Sequence, residues 1–224
     1  MPTATKKIIL FANGELPAPE KISAQIKSDD VLIAVDGGLG HLTRLGLKPH
    51  LIIGDLDSAS EDEVRRFKNQ GVEVRKYPVE KDETDLELAL AAALKMKPET
   101  IWVVAALGNR LDQTLGNIFL LTRPELVREN IRLVDGAQEV FLIHQSASLS
   151  GESGQRVSLL PLNRPAEGVI TEGLEYPLND ETLYPDRTRG ISNRMTGSKA
   201  SISIKSGLLL CIHETLNQTK GVVN

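Results

Sequence analysis

Leu51-Ile52-Ile53-Gly54-Asp55-Leu56-Asp57-Ser58 decides the reading of this chain. An apolar triplet runs straight into two carboxylates. A polar, capping-rich run, Ser58-Ala59-Ser60-Glu61-Asp62-Glu63, leads out. That pattern is a buried strand meeting the start of a helix at the C-terminal edge of a sheet, where open α/β folds bind ligands. Asp55 and Asp57 stand two apart, so an extended segment would point both carboxylates the same way. Like charges so placed call for a cation, and a hard divalent ion with oxygen ligands is the simplest partner. The local alternative makes Asp57 or Ser58 a helix cap, which accounts for one carboxylate at most.

Outward from this stretch the same unit repeats about every thirty residues. Buried strands are expected at Lys7–Ala12, Val31–Val35, Leu51–Ile53, Ile101–Ala106 and Ile131–Val134, with a more solvated one at Val72–Arg75. Helices are expected over about 18–27, 39–46, 60–70, 85–96 and 112–122. Two capping boxes overlap ahead of the third, Ser58…Glu61 and Ser60…Glu63, and we assign Ser58 to capping; Thr84…Glu87 opens the fourth. Continuous apolar strands joined by crossover helices mean a parallel sheet covered on both faces. Near Asp135-Gly136 the character changes. Short strand-like runs follow, Glu139–His144, Gln155–Pro161, Gly168–Thr171, Ala200–Ile204 and Leu208–His213, separated by Gly, Pro, Asn and Asp. That is the pattern of an antiparallel sandwich or barrel. The fold class is therefore α/β plus all-β. The boundary lies between 135 and 147, and we divide the chain into 1–140 and 141–224. The residues from Asn217 onward are polar and expected to fray.

Composition narrows the partners. The 224 residues carry a net charge of -4, with 4% aromatics. An acidic chain poor in stacking side chains is not built for nucleic acid, nor for an anionic membrane. No window approaches the length of a membrane span, and Ile8–Ala12 is too short for a signal-peptide core. The single cysteine, Cys211, allows no intrachain disulfide and lies in an apolar strand, which fits an inert thiol in a reducing cytoplasm. His41, His50, His144 and His213 have no zinc-like spacing, and no GxxxxGK[ST] loop is present.

Four polar clusters follow apolar strands or turns: Asp36-Gly37-Gly38, Asp55 with Asp57, Asp82 with Thr84 and Asp85, and Arg110 with Asp112 and Gln113. In a parallel sheet all four belong to one edge. Gly37 and Gly38 would let backbone N–H groups approach a phosphate, or form an ordinary tight turn. Asp82, Thr84 and Asp85 either cap the fourth helix or add a third carboxylate at Asp85. Arg110 either clamps phosphate oxygens or pairs with a nearby aspartate. Thr188–Asn193 reads as a plain loop.

Taken together, DGGLGHL (36–42), PHLIIGDLDS (49–58), DETD (82–85) and GNRLDQ (108–113), followed by NDETLY (179–184) and TRGISN (188–193), resemble the thiamine pyrophosphokinase family. The resemblance implies an α/β nucleotide-binding domain, then an antiparallel β domain, and a homodimer. It implies transfer of the terminal diphosphate of ATP to the hydroxyl of thiamine, with release of AMP and a requirement for Mg2+. It implies Asp55, Asp57 and Asp85 as metal ligands, Arg110, Asp112 and Gln113 on the phosphate side, and Ser192 and Asn193 in a thiamine pocket at the dimer interface. Asn109 departs from the family, which commonly has a second glycine there. Read on the residues alone, diphosphate transfer to another hydroxymethyl heterocycle such as a pterin, or a nucleotide-binding regulatory module without turnover, remain alternatives.

Overall fold

The apolar runs of the first half are strands in the computed structural model, which describes residues 7–108 and 110–215. Asn109 and the tail from Asn217 lie outside the described residues. The chain forms two compact units, divided after Gly136. A division at 140/141 would cut a strand that starts at Gln138.

In the first unit the strands are β1 (Lys7–Phe11), β2 (Val31–Val35), β3 (Leu51–Gly54), β4 (Glu73–Lys76), β5 (Thr100–Val104) and β6 (Ile131–Val134). They lie in the order β6-β5-β1-β2-β3-β4, all parallel. The chain steps outward from β1 to β4, then returns past β1 to lay down β5 and β6. The order therefore reverses between β1 and β5, the switch point at which such sheets bind ligands. β4 closes one edge with half-exposed, charged residues, and Glu73 pairs with Arg75 on it, which blunts the edge against further pairing.

Among the described residues the helices are α1 (Pro19–Ser23), α2 (Leu39–Arg44), α3 (Glu61–Asn69), α4 (Asp85–Leu94) and α5 (Leu111–Leu120). Ile9, Phe11, Ala34 and Ile52 share one core with Ile22 of α1, Leu39 and Leu42 of α2 and Phe67 of α3. The alternate strand residues point to the other face, since side chains alternate along a strand. There α4 meets β1, β2 and β3 and buries Leu86, Ala89, Leu90 and Ala93. Helix α1 is half the expected length, and Ala18 at its start has no capping side chain. Helix α4 has its full capping box: the Glu87 N–H donates to Thr84 Oγ1, and the Thr84 N–H donates to Glu87 Oε2. Helix α5 buries no residue, and Leu111, Leu115 and Phe119, four apart, form an exposed apolar stripe.

The second unit contains β7 (Gln138–Ile143), β8 (Ser146–Ser150), β9 (Arg156–Pro161), β10 (Ala166–Glu172), β11 (Glu181–Leu183), β12 (Asn193–Arg194), β13 (Lys199–Ser203) and β14 (Leu209–Glu214). One antiparallel sheet runs β12-β9-β14-β7 and a second β11-β10-β13-β8. Inward residues of both sheets, Phe141, Val157, Leu159, Val169 and Ile202 among them, make one core, as in a sandwich. Cys211 of β14 is fully buried in that core. Strands β8, β11 and β12 are absent from the sequence reading. Each is short or serine-rich, and β8 buries only Leu149.

Candidate active site

The parallel strands deliver their C-terminal ends to one edge, and the polar clusters leave from there. Asp36 leaves β2 with φ +47 and Leu56, between the two key aspartates, has φ +66. Both sit in the left-handed region, which non-glycine residues seldom adopt and which gathers at functional sites. Residues 55–57 are therefore not extended, as the two-residue spacing implied. They turn, and the Asp57 N–H donates back to Asp55 Oδ1 at 3.2 Å, an Asx-type turn. The carboxylates converge through the turn rather than by strand alternation.

The turn brings in a third carboxylate. One oxygen from each of Asp36, Asp55 and Asp57 lies within 4.8 Å of the others. Asp36 is 9% exposed, and its Oδ1 accepts the Ser58 N–H at 3.3 Å. The Ser58 hydroxyl donates to Asp57 Oδ1 at 3.0 Å. Ser58 thus belongs to the carboxylate cluster, and the helix cap is Ser60, whose Oγ accepts from the Glu63 N–H. This corrects the assignment of Ser58 to capping: the turn at Leu56 aims Ser58 at the acids and leaves the cap to Ser60.

Asp85, first residue of α4, joins from another side through Lys81. The Lys81 ammonium stands 3.3 Å from Asp55 Oδ2 and 3.0 Å from Asp85 Oδ1. The backbone N–H of Asp57, seconded by Lys81, holds the Asp55 carboxyl below the usual carboxylate range. Burial pushes the Asp85 carboxyl up, and the charges of Asp55 and Asp36 add to the push, against the pull of Lys81. Burial opposes the charge on Lys81, but its contacts with Asp85 and Asp55 more than offset that and raise it. At an effective dielectric of about 20, two unit charges 4.8 Å apart repel by about 3.5 kcal/mol, which solvent screens at the exposed Asp57. One lysine does not balance four aspartates. Among the described residues, the buried side-chain oxygen left without a hydrogen bond is Asp85 Oδ1, because the ammonium beside it is poorly aligned. Hard oxygen donors and excess negative charge fit a hard divalent cation.

Gly37 and Gly38 follow Asp36 in a short 3-10 turn into α2. Here packing sets the requirement for glycine. A Cβ on Gly38 would lie 1.8 Å from the Phe11 carbonyl oxygen, and one on Gly37 2.5 Å from the Asn13 side chain. The His41 Nε2–H donates to the Gly14 carbonyl at 2.9 Å while its Nδ1 accepts from Arg44, so α2 clasps the loop after β1. His50 Nδ1 accepts from the Leu32 N–H, and His213 is buried between Glu139 and Gln155.

Arg110 opens α5 and makes a two-point pair with Asp112, at 3.2 and 2.6 Å. Each side chain is about two-thirds exposed, at 69% and 67%. The pair raises the guanidinium and lowers the carboxyl. The structure thus links the Asp36, Asp55–Asp57 and Asp85 groups through Ser58, Lys81 and the approach of their oxygens, and leaves Arg110 paired with its own neighbour. Asp82, Thr84 and Gln113 are exposed, Thr84 as the cap of α4. In the second unit Asn193 is buried, with its amide tied to the Tyr176 backbone in both directions. Ser192 is exposed with φ +61, and its N–H donates to Ser158 Oγ. Sequence reasoning assigned no role to Lys81. The available signal was its place four residues before Asp85, the spacing at which helical ion pairs form.

An α/β unit with an acidic ligand edge, followed in the chain by a β-sandwich, is the class these observations define. The profile "Thiamin pyrophosphokinase, catalytic domain" matches residues 22–134, and "Thiamin pyrophosphokinase, vitamin B1 binding domain" matches residues 143–209. The chain is 31% identical to a thiamine pyrophosphokinase of Bacillus subtilis (strain 168) over 94% of its own length and 99% of that protein's. The crystal structure of a Bacillus subtilis thiamine pyrophosphokinase superposes with a TM-score of 0.84 at 30% identity, covering 94% of this chain and 99% of that one. Yeast thiamin pyrophosphokinase shares the fold, with a TM-score of 0.72 at 17% identity over 96% and 87% of the two chains. This chain belongs to the thiamine pyrophosphokinase family.

Proposed function

We propose that this chain transfers the terminal diphosphate of ATP to the hydroxyl of thiamine, giving thiamine diphosphate and AMP. The observation that carries the reading is the acidic cluster of Asp36, Asp55 and Asp57 at the ligand edge of a unit matched by the catalytic profile. An acidic protein needs such a device to bind a tetra-anion.

Asp55, Asp57 and Asp85 would hold Mg2+, and Asp36, one oxygen of which approaches those of Asp55 and Asp57, is a candidate fourth ligand. When bound, the metal would polarise the phosphoryl oxygens and offset charge on the departing AMP. The rest falls to side chains. Asp36, Gly37, Gly38, Asp82, Thr84 and Gln113 would flank the nucleotide. Arg110 would turn from Asp112 to the transferred group, and an exposed ion pair costs little to break. The thiamine hydroxyl attacks the β-phosphorus in line. Asp57 or Asp112 would chiefly orient that hydroxyl, an ordinary aspartate being a weak base, and the proton would pass to that carboxylate or to solvent as the O–P bond forms and the bond to AMP breaks.

On the thiamine side, Ser192 offers an exposed hydroxyl, while Asn193, with its amide engaged by Tyr176, shapes the loop. Ser192→Ala should raise the KM for thiamine about fivefold, the worth of one hydrogen bond, with the KM for ATP unmoved. A rise confined to ATP would place the loop on the nucleotide side.

The protein would work in the cytoplasm as a homodimer. The exposed stripe of Leu111, Leu115 and Phe119 is a face that a second copy would cover. Light scattering should return twice the chain mass, and a monomer mass would refute the dimer. Fractionation of the tagged full-length chain tests the compartment. For the reaction, the purified chain is incubated with Mg-ATP and thiamine, and AMP and thiamine diphosphate are followed by chromatography. EDTA should stop it. AMP released only when a hydroxymethylpterin replaces thiamine would overturn the assignment, as would none at all.

A further inference from the structure

Lys81 lies on the approach to α4 with its side chain 12% exposed. Its ammonium donates to Asp55 Oδ2 at 3.3 Å and to the Pro78 carbonyl at 3.1 Å, and stands 3.0 Å from Asp85 Oδ1. The two carboxylates leave the sheet after different strands. A lysine that merely locked the fold would satisfy both. Here the ammonium pairs with the buried Asp85 Oδ1 at 3.0 Å without a well-aligned hydrogen bond. The ammonium is shared across a gap between carboxylates, the position a bridging cation would take.

A dication held by Asp55 and Asp85 would be opposed by an ammonium about 3 Å from their oxygens, because the two cations repel across the shared carboxylates. A lysine ammonium rides on a flexible four-carbon stem and can leave without moving the backbone. We propose that Lys81 is a positioning residue: a resident counter-cation that holds Asp55 and Asp85 in register and cedes its place to the incoming metal. The displaced ammonium stays tethered at the site and meets the anionic triphosphate. Metal alone is therefore opposed by Lys81, whereas metal with nucleotide is not, so the two ligands favour each other's binding, and by linkage the effect is reciprocal. The inference rests on the cation-site reading above.

The test uses the full chain and Mn2+ as probe, with free Mn2+ read by electron paramagnetic resonance and no turnover involved. Lys81→Met keeps the stem and removes the charge. It should bind Mn2+ alone about tenfold tighter than the parent, while Lys81→Arg, which keeps the charge, should stay within about threefold. Adding a non-hydrolysable ATP analogue should tighten Mn2+ binding more in the parent than in Lys81→Met. A purely structural lysine predicts the opposite, since its loss would splay the carboxylates and weaken Mn2+. Unchanged or weaker Mn2+ binding in Lys81→Met overturns the proposal. Should circular dichroism show Lys81→Met unfolded, Lys81→Gln carries the same expectation and the same refutation. If neither the parent nor the variants bind Mn2+, the cation-site reading falls too, and that result is distinct from equal binding by all of them.

Discussion

Asp55→Ala should abolish release of AMP from ATP and thiamine, lowering kcat at least about 10³-fold, or about 4 kcal/mol of transition-state stabilisation. Asp55 is the residue on which the site's contacts meet. Its Oδ1 accepts from the Asp57 N–H and its Oδ2 accepts from Lys81. It also lies within 4.8 Å of the carboxylate oxygens of Asp36 and Asp57. Removing it opens the turn that aims Asp57 and leaves Lys81 to Asp85 alone. The fold should tolerate the loss, because Asp55 sits after the end of β3 and its removal also relieves repulsion among the acids. Circular dichroism should therefore match the parent. A variant that keeps parental turnover would take Asp55 out of the metal site. One that loses its circular dichroism would instead assign it a structural role.

Gly38→Ala should have the largest effect on stability. The Gly38 backbone has φ -59 and ψ -15, a right-handed helical conformation that alanine accepts readily. Conformation alone would make the change favourable. A Cβ there would however fall 1.8 Å from the Phe11 carbonyl oxygen, far inside contact distance, and the obstacle is strand backbone that cannot step aside. The expected cost is about 4 kcal/mol or more, which lowers Tm by about 10 °C or more, or prevents soluble expression. Gly40→Ala is the matched control. It lies two residues on, in α2, with nothing within 4 Å of its added Cβ. It should be neutral or stabilising by about 0.5–1 kcal/mol. Equal melting temperatures for the two variants would show that α2 can shift away from β1.

The strands were legible because Ile8–Phe11, Val31–Val35 and Leu51–Ile53 are apolar without alternation, which only a doubly covered parallel sheet requires. Their order was not. Whether β5 lies beside β1 or beyond β4 depends on where its crossover helix packs, and that leaves no periodic trace. The candidate site was legible in part. Asp55 and Asp57 stand out by spacing, Asp85 only by its place on the same sheet edge and by the family resemblance. Asp36 was grouped with its glycines as a backbone cradle, because nothing in the residue string announces the left-handed turn that aims its carboxylate at Asp55. Ser58 and Ser60 both have a glutamate three residues on, so pattern alone could not choose the cap. The turn at Leu56 chose. For Gly38 the residues offer a phosphate cradle or a tight turn; the clearance it gives the Phe11 carbonyl is a separate demand, which only the packing of the 3-10 turn against β1 reveals. Ser146–Ser150 was passed over because a lone buried leucine among serines and an alanine shows no alternation.

The burial of Cys211 has a practical consequence. It is the chain's single thiol and lies with no exposed surface in the core of the second unit. A bulky thiol reagent can reach it only when that unit opens, since modification needs both an accessible sulfur and a thiolate. The rate of labelling under native conditions is thus a stopwatch for the opening of the sandwich, without any engineered probe. A chase with thiamine diphosphate during labelling would then show whether occupancy by product slows that opening.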